Sequence, residues 1–136
     1  MSEVVLDASV LIKWFRAQGE RHREAALALY GQFARGALLV VVPPLLFLEL
    51  LNVAARRWGW EIERLERFAA DLGRIGLVVR QPTLGRVAHW CGQGLTAYDA
   101  CYVALAEERR TVVVTDDERL LAVAGGLARP LVRAGG

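Results

Sequence analysis

The chain has 136 residues, 54% of them hydrophobic, and a formal net charge of +2. That length points to one domain with a core of its own and no need of disulfide staples. The charge is too small to diagnose nucleic-acid binding, although the basic residues are almost all arginine, the residue suited to bidentate phosphate contacts; Lys13 is the single lysine.

Residues 4–6 read as a buried strand, and residues 9–17 as a helix ending near Gly19. Residues 21–35 form a second helix with Ala25, Leu29 and Phe33 on one face. Residues 38–42 are an unbroken aliphatic run, as in strands covered on both faces. Pro43-Pro44 opens the next helix, where a missing N–H costs little, and this helix runs to about Arg57. A helix over 61–72, a strand over 75–79, a short helix from Pro82-Thr83 to Cys91 and a helix over 96–109 follow. Residues 111–114 are a fourth strand, 115–123 a short helix, and Leu131-Val132 a weak last strand before a fraying tail over 133–136. This alternation predicts a single α/β domain over 1–136, a parallel-sheet α/β/α sandwich of four to five strands with helices on both faces.

Cys91 and Cys101 have neither metal-ligand spacing nor a secreted framework and read as core thiols, which fits a cytoplasmic protein. No basic region followed by an apolar run marks a signal peptide. The apolar stretch over 37–51 is broken by Pro43-Pro44 and carries Glu49, so no membrane span is expected. The high apolar content instead suggests an oligomer or partner interface.

Four of the five aspartates, Asp7, Asp99, Asp116 and Asp117, fall at strand-to-helix turns or in a first helical turn. Aspartate favours such places as a helix cap, and both Thr96-Ala97-Tyr98-Asp99 and Thr115-Asp116-Asp117-Glu118 match the capping-box pattern. Topology adds a second meaning. In a parallel sheet all strands end at one edge, where Asp7 and Asp116-Asp117 follow the first and fourth strands. The helix before the fourth strand runs the opposite way, so Asp99 in its first turn returns to that edge. Glu49 lies in a helix apolar almost all round, and a lone buried carboxylate is expensive unless paired or bound to a metal. It is either an ion pair with Arg56 bridged by Asn52, or a ligand acid oriented by Asn52. Carboxylates converging on one edge repel each other, and a hard divalent cation relieves this and allows metal-assisted hydrolysis of a phosphodiester. His22 and His89 have no ligand partner at useful spacing and read as surface or packing residues.

Four segments in order resemble PIN-domain ribonucleases and, more closely, VapC-type toxins of bacterial or archaeal toxin–antitoxin pairs. They are Val5-Leu6-Asp7-Ala8-Ser9 through Lys13-Trp14, Pro44 through Glu49-Leu50-Leu51-Asn52, Gly94 through Tyr98-Asp99-Ala100 to Ala106, and Val114-Thr115-Asp116-Asp117-Glu118-Arg119-Leu120. The resemblance covers nearly the whole chain. It implies that Asp7, Glu49 and Asp99 are catalytic acids holding Mg²⁺ or Mn²⁺ directly or through water. It implies Asp117 as the fourth acid, with Asp116 able to share that role, and Ser9, Asn52 and Thr115 as accessory polar residues. RNA as the substrate, endonucleolytic cleavage, a cognate antitoxin as inhibitor and a homodimer are likewise implied by the resemblance.

Two further expectations come from the residues. Lys13, one helical turn past Ser9, either approaches the scissile phosphate as a point charge or is a solvated helix residue. Trp58-Gly59-Trp60 precedes an amphipathic face of Ile62, Leu65 and Phe68, which packs on its own core or meets an antitoxin or a second copy. A haloacid-dehalogenase-type phosphatase is rejected because Ser9 stands where it needs a second Asp. A receiver-type module is excluded because the only lysine is Lys13 rather than one ending a late strand. The remaining alternative is a non-catalytic PIN-like module that binds RNA or protein.

Overall fold

The computed structural model describes residues 2–16 and 18–134. Five strands, β1 (Ser2–Leu6), β2 (Leu38–Val42), β3 (Val78–Val79), β4 (Val113–Thr115) and β5 (Ala128–Pro130), form one sheet in the order β3-β2-β1-β4-β5. Every neighbouring pair is parallel. The sheet thus confirms the α/β sandwich. The chain leaves β1 on one side to build β2 and β3, then crosses to the other to build β4 and β5. The switch between β1 and β4 is where such sheets open a crevice at their carboxyl edge.

Among the described residues eight helices complete the layers: α1 (Ala8–Phe15), α2 (Arg23–Ala34), α3 (Leu45–Arg56), α4 (Ile62–Leu72), α5 (Leu84–Gly92), α6 (Ala97–Arg109), α7 (Glu118–Ala124) and α8 (Leu131–Ala134). The aliphatic runs form strands because both faces are covered: Val5, Leu6, Val40, Val41 and Val42 are wholly buried. α6 packs on β1 and β4, and its stretch from Ala100 to Ala106 is buried throughout. None of the helices of the described residues is long and apolar enough to cross a membrane.

The strand boundaries differ from expectation at the edges of the sheet. The third strand shortens to Val78–Val79 because Gly76 adopts φ 96°, which ends the extended run. The last strand is Ala128–Pro130, and Leu131-Val132, expected as strand, begin α8. Pro130 stands opposite Thr115 on an outer strand, where its missing N–H breaks no ladder bond. Leu131 is buried in the first turn that follows. α1 ends at Phe15, and the expected helix end at Ala17 lies outside the described residues, as do Gly135 and Gly136 of the tail.

Candidate active site

Asp7 is the fixed point of the carboxyl edge. It follows β1 directly, precedes the first turn of α1 and is only 4% exposed. The Ser9 hydroxyl donates to its Oδ1 at 2.6 Å and the Thr115 hydroxyl donates to its Oδ2. Each hydroxyl has its proton free for this because its oxygen already accepts a backbone N–H. Ser9 Oγ takes the Asp116 amide at 2.9 Å, and Thr115 Oγ1 takes the Asp117 amide at 3.0 Å. Two short side chains thereby tie the turn after β4 to the turn after β1. Burial, the largest influence, and the charge of Asp99 push the Asp7 pKa up to about 7, against the pull of both hydroxyls.

Asp99 comes to the same edge on the first turn of α6. Thr96 caps that helix by accepting the Asp99 amide at 3.1 Å, as the capping pattern predicts. Burial first, then the charge of Asp117, raises the Asp99 pKa. Asp117 itself caps α7 by accepting the Leu120 amide at 3.0 Å. The expected capping hydroxyl of Thr115 is turned to Asp7 instead, so the cap falls two residues later than the pattern places it.

Glu49 arrives on α3, part-buried rather than enclosed, because Leu48 beside it faces outward at 69% exposure. Its partner is the hydroxyl of Tyr102, which donates to Oε1. Among the described residues Glu49 makes no ion pair with Arg56, and Asn52 is exposed with no side-chain hydrogen bond to it. Burial and the charge of Asp99 raise the Glu49 pKa. Tyr102 is 1% exposed, and burial and the Glu49 and Asp7 charges keep its hydroxyl protonated well above the ordinary range. Sequence reasoning passed over Tyr102, although its signal was legible: a tyrosine in an apolar helix, three residues past Asp99, needs a buried partner for its hydroxyl.

Asp116 points into a separate network. Lys13, buried at 4% exposure, places Nζ 3.3 Å from Asp116 Oδ2 and 3.5 Å from Glu20 Oε1. His22 Nδ1 lies 2.8 Å from Asp116 Oδ1, and Arg57 pairs with Glu20. Burial opposes ionisation of Asp116, but His22 and Lys13 hold its pKa below the ordinary value. Lys13 is therefore not a solvated helix residue, and His22, expected as a surface or packing residue, is a partner of Asp116. Its backbone at φ 56° sets it at the start of α2, an orientation no spacing rule signals.

The edge so assembled offers oxygen donors only. Asp7, Glu49 and Asp99 all bind protons more tightly than usual, chiefly because burial disfavours their charged forms and to a lesser degree because each has a neighbouring acid. Among the described residues no three acidic, histidine or cysteine side chains close on one point as a ready-made cage. Carboxylate oxygens are the donors a hard divalent cation takes, so Asp7, Glu49, Asp99 and Asp117 have the chemistry to hold one.

The comparisons with known proteins follow the same outline. No curated protein matches the chain in sequence. Among solved structures, PAE2754 of Pyrobaculum aerophilum is 26% identical with a TM-score of 0.66, over 98% of this chain and 95% of that one. VapC20 of Mycobacterium tuberculosis, a Sarcin-Ricin loop cleaving toxin, is 19% identical with a TM-score of 0.66, over 90% of this chain and 95% of that one. The family model of the PIN domain matches residues 4–126, a span that begins in β1 and takes in every carboxylate of the edge. On that match the chain belongs to the PIN domain family.

Proposed function

We propose that the chain is a Mg²⁺- or Mn²⁺-dependent endoribonuclease, the toxin of a toxin–antitoxin pair. The observation that carries this reading is the meeting of Asp7, Glu49 and Asp99 at one carboxyl edge, each pKa raised in part by a neighbouring acid, with Asp117 beside Asp99. PIN domains are generally nucleases, and the four matching segments favour the toxin branch.

In this reading Asp7, Asp99, Glu49 and Asp117 would hold the ion, directly or through water. When bound, the ion supplies an activated water and neutralises charge on the phosphodiester. Ser9 and Thr115 hold the Asp7 carboxylate in place through one hydroxyl on each oxygen. Tyr102 fixes Glu49. Asp116 is committed to Lys13 and His22, which favours Asp117 as the fourth acid. Lys13 meets two carboxylates and so orders the turn after β4 instead of meeting phosphate; Asn52, exposed on α3, is left to contact solvent or substrate. A cognate antitoxin and a second copy are the partners of such a toxin, and exposed apolar side chains such as Leu27 and Tyr30 on α2 offer surface for them.

The test is cleavage of a mixed structured RNA pool with Mg²⁺, with Mn²⁺ and with chelator, wild type beside Asp99→Asn. Cleavage that requires metal and is lost in the variant is expected. Metal binding without cleavage in any condition would instead make the chain a non-catalytic binding module.

A further inference from the structure

A second concave site lies between the end of α1 and the start of α4. It is an open cavity of about 650 Å³ whose wall carries Arg16, Arg64 and Arg67 together with the indoles of Trp58 and Trp60. The two indoles lean on each other with centroids 5.1 Å apart, and Trp60 is propped from behind by Phe68 at 5.2 Å. The guanidinium of Arg64 lies 3.7 Å from the Trp60 ring centroid, stacked on it, and that of Arg16 lies 5.6 Å from Trp58. The acids at the rim, Glu61 and Glu63, form no ion pair with Arg16, Arg64 or Arg67 among the described residues. Three cations thus outnumber the two carboxylates around the cavity and are tied to neither of them, beside planar surfaces.

We infer that this cavity binds a nucleotide of single-stranded RNA flanking the cleaved bond, its phosphates on Arg16 and Arg67 and its base against the Arg64–Trp60 stack. The chemistry is that of sequence-tolerant single-strand binding, in which cations follow the backbone and bases stack on aromatic rings or guanidinium planes. Placement supports it. Arg57, next to Trp58, pairs with Glu20; Glu20 meets Lys13; and Lys13 meets Asp116 beside the acidic edge. These ion pairs link the segment beside the cavity to the turn after β4, which puts the cavity and the acidic edge on neighbouring segments of the fold. An acidic peptide would match the charge but leave the stacked planes without a use.

The inference rests on RNA being the substrate, and the experiment separates the two. Binding of a short labelled single-stranded RNA of mixed sequence is followed by fluorescence anisotropy in chelator over a range of salt. Cleavage of the same RNA is followed in Mg²⁺. The variants are Arg16→Ala/Arg64→Ala/Arg67→Ala, all exposed positions, and Arg64→Lys. The triple variant is expected to flatten the dependence of log Kd on log salt by about 1.4, at about 0.7 for each of the two phosphates no longer neutralised, and to raise KM with kcat unchanged. Arg64→Lys is expected to keep the salt slope and weaken binding several-fold, because its charge stays and its plane goes. A triple variant that binds and cuts RNA as wild type does overturns the cavity's role alone, as it would if the cavity served a protein partner. Wild type that neither binds nor cuts RNA overturns the cavity and the nuclease reading together.

Discussion

The Asp7 carboxyl group has a folded pKa of about 7 against an ordinary 3.8. Between those values the native protein keeps a proton that the unfolded chain has released. Stability from this group therefore falls as pH rises through the window, by on the order of 4 kcal/mol once about pH 7 is passed. Glu3, Glu107 and Asp116 have lowered values and act the other way, but their contribution is lost only in acid below the ordinary carboxylate range, so the two effects separate. In metal-free buffer the wild-type Tm is expected to fall between about pH 5 and about pH 8, whereas Asp7→Asn falls less, is higher at the alkaline end, and is inactive on RNA. Thermal melts at several pH values check this, and a wild-type Tm that climbs over that span contradicts it. Tyr102→Phe asks a different question at the same scale. The ring still fills its buried site, but Glu49 loses the donor that fixes it. A loss of about 1 kcal/mol in stability and about 10-fold or more in Mn²⁺ affinity is expected, read by melts and by calorimetric titration.

At the scale of the element, Asp117 carries two duties that substitution can pull apart. It caps α7 through the Leu120 amide, and its charge presses on Asp99. Asparagine caps as well as aspartate, so Asp117→Asn should leave stability within about 0.5 kcal/mol while reducing RNA cleavage; Asp117→Ala should lose about 1 kcal/mol as well. If Asp117→Asn cuts RNA at the wild-type rate, the residue is a cap alone. Elements also show what the sequence reveals and what it hides. The aliphatic runs of β1, β2 and β4 were legible because a strand buried on both faces admits little else. The acids were legible because a parallel sheet sends strand ends and helix starts to one edge. β3 was legible as a strand but not in its start, which Gly76 moves to Val78, and β5 was not legible, since Ala-Arg-Pro carries no strand signal of its own. The partner of Glu49 was sought at helical spacing, on Asn52 and Arg56, yet it came from another helix. Lys13, Glu20, His22, Arg57 and Asp116 likewise meet only because four separate segments converge.

Over the whole molecule, protons and a cation compete at the edge in the proposed reading. Asp7, Glu49 and Asp99 all have raised pKa values, and a protonated carboxyl must release its proton to become a ligand. Cation affinity should therefore rise with pH and level off once Asp7 is ionised, above about pH 7. An ion that binds only the folded chain adds stability by mass action, about 2.7 kcal/mol at a hundred times its Kd. Its effect is largest at the alkaline end, where crowded carboxylates weaken the metal-free protein most. The Tm gap between Mg²⁺ and chelator is thus expected to be wider at about pH 8 than at about pH 6, and narrower at both in Asp99→Asn. The gap reports on the ion without reference to any RNA, so it stands even where the natural substrate is too narrow for a test pool to contain. Equal Tm values with and without Mg²⁺ at both pH values would remove the ion from the centre, and the raised carboxyl pKa values would then describe a proton-bound structural edge.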